Sequence, residues 1–159
     1  MIDMGRALRH LAWADAKMFD ELAALPPEAL QARYTADRRS VAELATHIVG
    51  GAEWYCYCLA GTPWTDLQVP TDAADLAAMR AHILDLDAVL LREAEQSDDV
   101  VSLTDEYGDK TAHRSTILAQ ACMHATEHRA QIACALEVSG YPGMTLDDYD
   151  VWAFEAAEG

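Results

Sequence analysis

Four segments of roughly twenty residues each carry apolar side chains at a helical period, and this repetition constrains the fold more than any other feature of the chain. In the first, about residues 3–24, Leu8, Leu11, Ala12, Asp15, Met18, Phe19 and Leu22 fall on one stripe. Pro26 and Pro27 end it, because neither ring can continue the hydrogen-bond ladder. The second segment begins near Ser40, where Ser40 and Glu43 have the spacing of a capping box. Its expected stripe is Leu44, His47, Gly51, Trp54 and Cys58, and Gly61 followed by Pro63 ends it. The third, about residues 72–96, buries Leu76, Met79, Ile83, Leu86 and Leu90, with Arg80, His82 and Asp85 facing solvent. The fourth, about residues 115–138, has the stripe Ile117, Ala121, His124, His128, Gln131 and Ala135 and stops at Gly140.

The connections add detail. Residues 62–71 hold two prolines and are longer than a tight antiparallel turn requires, so they are expected to cross the end of a bundle. Between the third and fourth segments, Val100 to Thr104 alternates weakly and Tyr107-Gly108-Asp109 offers a turn, which predicts a short hairpin or an extended loop. The tail residues Tyr149, Trp152 and Phe154 are expected to pack back on the helices. The fold class that follows is all-α: a four-helix bundle, one domain over residues 1–159, with a long crossover between helices two and three.

A net charge of −16, from 27 acidic and 11 basic residues, argues against nucleic acid and anionic membrane surfaces as partners. No apolar run approaches the ~20 residues of a membrane span. Residues 1–9 lack a basic start followed by a long apolar stretch, so no leader is expected and the expected location is the cytoplasm. Cys56, Cys58, Cys122 and Cys134 form no CxxC pair and read as small, partly buried residues.

Histidines carry the chemistry. His124 and His128 are four apart on a helix and so share a face, a spacing that lets two imidazoles meet one ion. Both lie on an apolar stripe, where ring nitrogens need partners. His47 lies on the stripe of another helix. Three such histidines point to one divalent transition metal with open coordination positions, where water would be acidified. Residues 124–128 also spell H-x-x-E-H, in which Glu127 is a candidate general base or a solvated helix glutamate. Gln131, one turn past His128, is a candidate to contact a ligand or substrate, or to cap a core cavity. Asp15 reads either as an inward acceptor orienting a histidine or as a residue at the stripe edge. Gly50 and Gly51, beside the His47 turn, cost helix stability and imply room for close packing or for a ligand. Cys58 is three turns from His47, about 16 Å along the axis, too far to share an ion. His10, His82 and His113 read as ordinary residues.

Three segments resemble one family. Leu11-Ala12-Trp13-Ala14-Asp15 with Leu22, the run from Ser40 to Ile48 around His47, and the run from Met123 to Ile132 are similar to the opening, second and fourth helices of the DinB family. The resemblance implies a four-helix bundle with a crossover, commonly a homodimer. It also implies nickel or zinc on His47, His124 and His128. Some relatives transfer bacillithiol or use mycothiol in isomerising maleylpyruvate, which implies a low-molecular-weight thiol as co-substrate. Ala130 stands where the family usually has glycine, and Asp15 where it often has asparagine. Three functions compete: a metal-dependent enzyme activating a thiol or water toward a small-molecule substrate, a non-catalytic metal- or ligand-binding stress-response protein, and a helical dimerisation module.

Overall fold

The structure is a computed structural model describing residues 3–141 and 143–159. The leader expectation begins on Met1 and Ile2, which lie outside the described residues. Helices α1 (Met4–Ala24), α2 (Val41–Ala60), α3 (Ala73–Glu93) and α4 (Arg114–Val138) are the four long segments of the sequence pattern. A hairpin of β1 (Val100–Asp105) and β2 (Gly108–His113) separates α3 from α4, and a short helix α5 (Val151–Glu158) closes the chain. The expectation of an all-α four-helix bundle is met in part: among the described residues the fold is mainly helical, with the four long helices, the short α5 and a two-stranded sheet.

Local chemistry sets the helix ends. Ser40 Oγ accepts from the Glu43 amide at 3.2 Å, and the Glu43 carboxylate accepts from the Ser40 amide at 2.6 Å, completing the capping box. Gly61 ends α2 with φ +67°, the left-handed conformation that favours glycine. Asp72 caps α3 by accepting from Ala74 and Asp75.

Helix directions follow from the contacts. Glu53 meets His82, and the Cys56 thiol donates to the Leu86 carbonyl, so residue numbers rise together and α2 runs parallel to α3. Two neighbouring parallel helices cannot be joined by a tight turn. The chain from 61 to 72 accordingly returns along α2: Thr65 binds Glu53 and Leu67 lies over Gly50. Helix α4 runs antiparallel to α2, with His47 beside His128 and Tyr55 beside His124. Around the bundle the order is α1, α3, α2, α4, with α1 diagonal to α2.

The core is apolar and mainly aliphatic, built on Leu8, Leu11, Met18, Ile48, Ile83, Leu90 and Ile132 with the aromatic Phe19. Tyr149 and Phe154 pack back on α1 as expected, Phe154 against His10 and Trp13. Trp152 does not; it is 76% exposed, on the outer face of α5. His82, expected to face solvent, is half-buried with Nε2 2.8 Å from the buried Glu53 carboxylate. No described helix is long and apolar enough to cross a membrane.

Candidate metal centre

His47 sits in the second turn of α2, and His124 and His128 lie one turn apart on the facing side of α4. One ring atom from each of the three lies within 4.8 Å of the others, and all three side chains are half-buried. Ring centroids are 4.9 Å apart for His47 and His124, and 4.5 Å apart for each pair that includes His128. His47 Nε2 and His124 Nε2 are 3.3 Å apart. Two nitrogens bound tetrahedrally at ~2.0–2.1 Å stand ~3.3–3.4 Å apart, so this pair has the spacing that a shared ion requires.

The protonation states agree. Burial, then the charges of Arg39 and His128, holds His47 below the ordinary imidazole range. Burial, then His128, His47 and Arg39, pushes His124 down to about 4. Both rings are therefore neutral at pH 7 and present lone pairs. His128 Nδ1 lies 2.9 Å from Gln131 Oε1. An Nδ1–H donating to that oxygen leaves Nε2 as the free nitrogen, the arrangement that metal-bound histidines use to fix their tautomer. The donor set thus fits a divalent transition metal.

Gly51 makes room for this arrangement. A Cβ built there would lie 2.7 Å from His124 Nδ1 and 3.2 Å from Nε2. At Gly50 the only neighbour within 4 Å is Leu67, at 3.7 Å. The two glycines, equivalent in sequence, have different roles.

The histidines lie at the border of the core rather than on its central stripe. The buried face of α2 passes through Leu44, Ala45, Ile48, Ala52 and Tyr55, not through His47, Gly51, Trp54 and Cys58. The buried face of α4 passes through Ala121, Ala125, Arg129 and Ile132, and Gln131 is exposed. This displacement opens the centre to solvent on one side, where His128 and Gln131 line a groove of about 920 Å³. Glu127 is exposed on α4 and belongs to no ion pair among the described residues.

Asp15 is fully buried, and its carboxylate accepts from Arg129 Nη2 at 2.6 Å rather than from a histidine. Burial raises its pKa above the usual carboxylate range, outweighing the opposing charge and hydrogen bond of Arg129. Asp87, also buried, has neither carboxylate oxygen hydrogen-bonded. Burial and then the Asp15 charge push it up to about 9, so it carries a proton at pH 7. Asp15, Asp87, Tyr55 and His124 border a cavity of about 10 Å³, room for roughly one water.

The sequence reading missed Arg129, Asp87 and Glu53. Each nonetheless has small or apolar residues four before and three after it: Ala125 and Ile132, Ile83 and Leu90, and Val49 and Cys56, respectively. A charged residue so flanked lies on a buried helix face.

Fold and site together define a class: a helical bundle with a three-histidine cluster on facing helices, compatible with a bound metal ion. The chain belongs to the DinB family, whose model matches residues 1–157. Among solved structures, it is similar to a protein from Exiguobacterium sibiricum 255-15 described as a candidate member of the DinB family. Identity is 23%, the TM-score is 0.67, and the match covers 91% of this chain and 97% of that one. It is also similar to a DinB-like protein from Bacillus cereus ATCC 10987, at 22% identity and a TM-score of 0.62 over 84% of this chain and 90% of that one. No curated protein matches the chain.

Proposed function

We propose that the chain is a metal-dependent enzyme acting on small molecules, with one divalent transition metal, nickel or zinc, on His47, His124 and His128. The observation that carries this reading is the 3.3 Å separation of two neutral ring nitrogens beside a third histidine fixed by Gln131. Three imidazoles leave coordination positions open, and the solvent-facing groove gives access to them. A bound ion supplies Lewis acidity there, lowering the pKa of a low-molecular-weight thiol or of water.

The remaining roles belong to the chain's own residues. Glu127, exposed between two ligand positions, is the candidate to take the proton released. Gln131 holds the His128 ring. Asp15 acts at one remove, by pairing with Arg129, the residue next to His128. A one-domain protein that is homodimeric and cytoplasmic is part of this proposal.

The test is elemental analysis of protein purified without an affinity tag, followed by turnover assays with thiols and electrophiles. The expected result is near-stoichiometric metal, lost in His47→Ala, and turnover that chelation abolishes and metal restores. Metal uptake without turnover of any pair would replace the enzyme with a non-catalytic binding protein. Absence of metal would leave a helical module.

A further inference from the structure

The groove beside His128 is not chemically neutral, and it is bordered by an unusual pair of cations. Among the described residues, every lysine and arginine except Arg38, Arg39 and Arg92 has a carboxylate within 3.8 Å. Arg92 lies in the last turn of α3, where a cation suits the helix end. Arg38 and Arg39 are adjacent, lack carboxylate partners among the described residues, and both line the groove that reaches His128 and Gln131. In a chain with 27 acidic residues, two neighbouring arginines left unpaired on one concave surface need a reason. A solvated surface loop is the ordinary reason, but the geometry here is fixed rather than loose.

The loop that carries them is hydrogen-bonded along its length. Arg33 donates to the Arg38 carbonyl at 2.5 Å and is itself held by Glu43 at 2.9 Å. The Arg38 amide donates to Thr35 O, and Arg33 and Ser40 form an antiparallel bridge. Arg33 therefore acts as an internal brace for the segment from which Arg38 and Arg39 line the groove. Arg39 shares the groove wall with His128, one of the three histidines of the centre.

We infer that this groove binds the carboxylate of a small-molecule substrate on Arg38 and Arg39, with the opposite end of that molecule directed toward the histidine centre. Guanidiniums pair with carboxylates through two parallel hydrogen bonds, which fixes orientation as well as charge. The charge count favours a single carboxylate over a dianion. Asp37, kept ionised by the Thr35 hydroxyl, lines the same groove, so the three groups sum to one positive charge. Tyr34 supplies a further polar and aromatic wall. At about 920 Å³ the groove is at the upper end of the ~300–1,000 Å³ typical of small-molecule sites.

This inference rests on the metal reading for the direction of the bound molecule, and its test separates the two. Cobalt-loaded protein is titrated with 3-mercaptopropionate and with its neutral amide, 3-mercaptopropionamide, while metal content is measured on the same samples. Saturation-transfer NMR repeats the comparison on metal-free protein, where binding is weaker. The expected result is about ten-fold tighter binding of the acid than of the amide. That preference disappears in R38Q/R39Q, which binds the amide as the wild type does, and survives in R92Q, which controls for charge loss elsewhere. Equal binding of acid and amide, a preference that persists in R38Q/R39Q, or binding of neither overturns the inference. If metal is retained but the preference is absent, the groove inference fails alone. If no metal is taken up but the metal-free chain still discriminates through Arg38 and Arg39, the metal reading fails and the groove stands.

Discussion

The His124 ring occupies the space that a side chain on Gly51 would fill: a Cβ there would lie 2.7 Å from Nδ1, with the ring carbon between the nitrogens closer still. The obstacle is an imidazole already packed between two other histidines. Gly51→Ala is expected to push His124 off the centre and lower metal affinity by at least about ten-fold. Gly50→Ala meets only Leu67 at 3.7 Å and is expected to keep the metal and add about 1 kcal/mol of helix stability. Chelator competition and urea unfolding of the two variants measure both effects.

Gln131 is expected to matter only through His128. Removing its side-chain oxygen in Gln131→Ala frees the ring and should weaken metal binding by about 10–100-fold. Gln131→Glu keeps an acceptor at the same place and should retain most of the affinity. Equal affinity in all three proteins would assign Gln131 to the groove wall instead.

The buried Asp15–Arg129 pair should show strong coupling. Arg129→Met leaves the Asp15 carboxyl buried without its partner and is expected to cost about 3–5 kcal/mol. The double variant Asp15→Leu with Arg129→Met removes both charges and should recover most of that loss. Denaturant midpoints of the single and double variants give the coupling directly.

Asp87 predicts a stability that declines with pH. Its folded pKa, about 9, is far above the ~3.9 of an unfolded aspartate. Between those values the folded chain keeps a proton that the unfolded chain has released, so raising the pH favours unfolding. Burial acts on Asp15 in the same direction. Asp87→Asn, neutral at every pH, is expected to be more stable than the wild type at pH 8 and close to it at pH 4. Thermal melts across that range check the sign; a difference that does not grow with pH would mean Asp87 is not the proton carrier.

What the sequence discloses here is what depends on near neighbours. The Ser40–Glu43 box, the Gly61 stop, the hairpin and the helical spacing of His124 and His128 are patterns a few residues long, and each is present in the fold. The phase of the α2 and α4 stripes was less legible. Both helices carry alanine and cysteine on several faces, and α2 two glycines as well, so many rotations about the helix axis bury similar apolar area. The buried faces are turned far enough to leave the histidines half-exposed and Arg129 inside. Asp15 and Arg129 are 114 residues apart, and only the docked bundle shows that they meet. The same is true of Glu53 with His82, and of the groove that gathers Arg38, Arg39 and Gln131.

The parallel course of α2 and α3 has a consequence for assembly. His47 and His124 are 77 positions apart, and the returning connection, all of α3 and the hairpin lie between them. No early fragment of the chain can bring these rings together, so the centre forms only when the last long helix has docked. An ion held there would tie the two ends of that long excursion as a cross-link does, restricting the unfolded chain more than the folded one. Occupancy of the centre would then record that folding has finished, and chelation would loosen the bundle along the α2–α4 seam first.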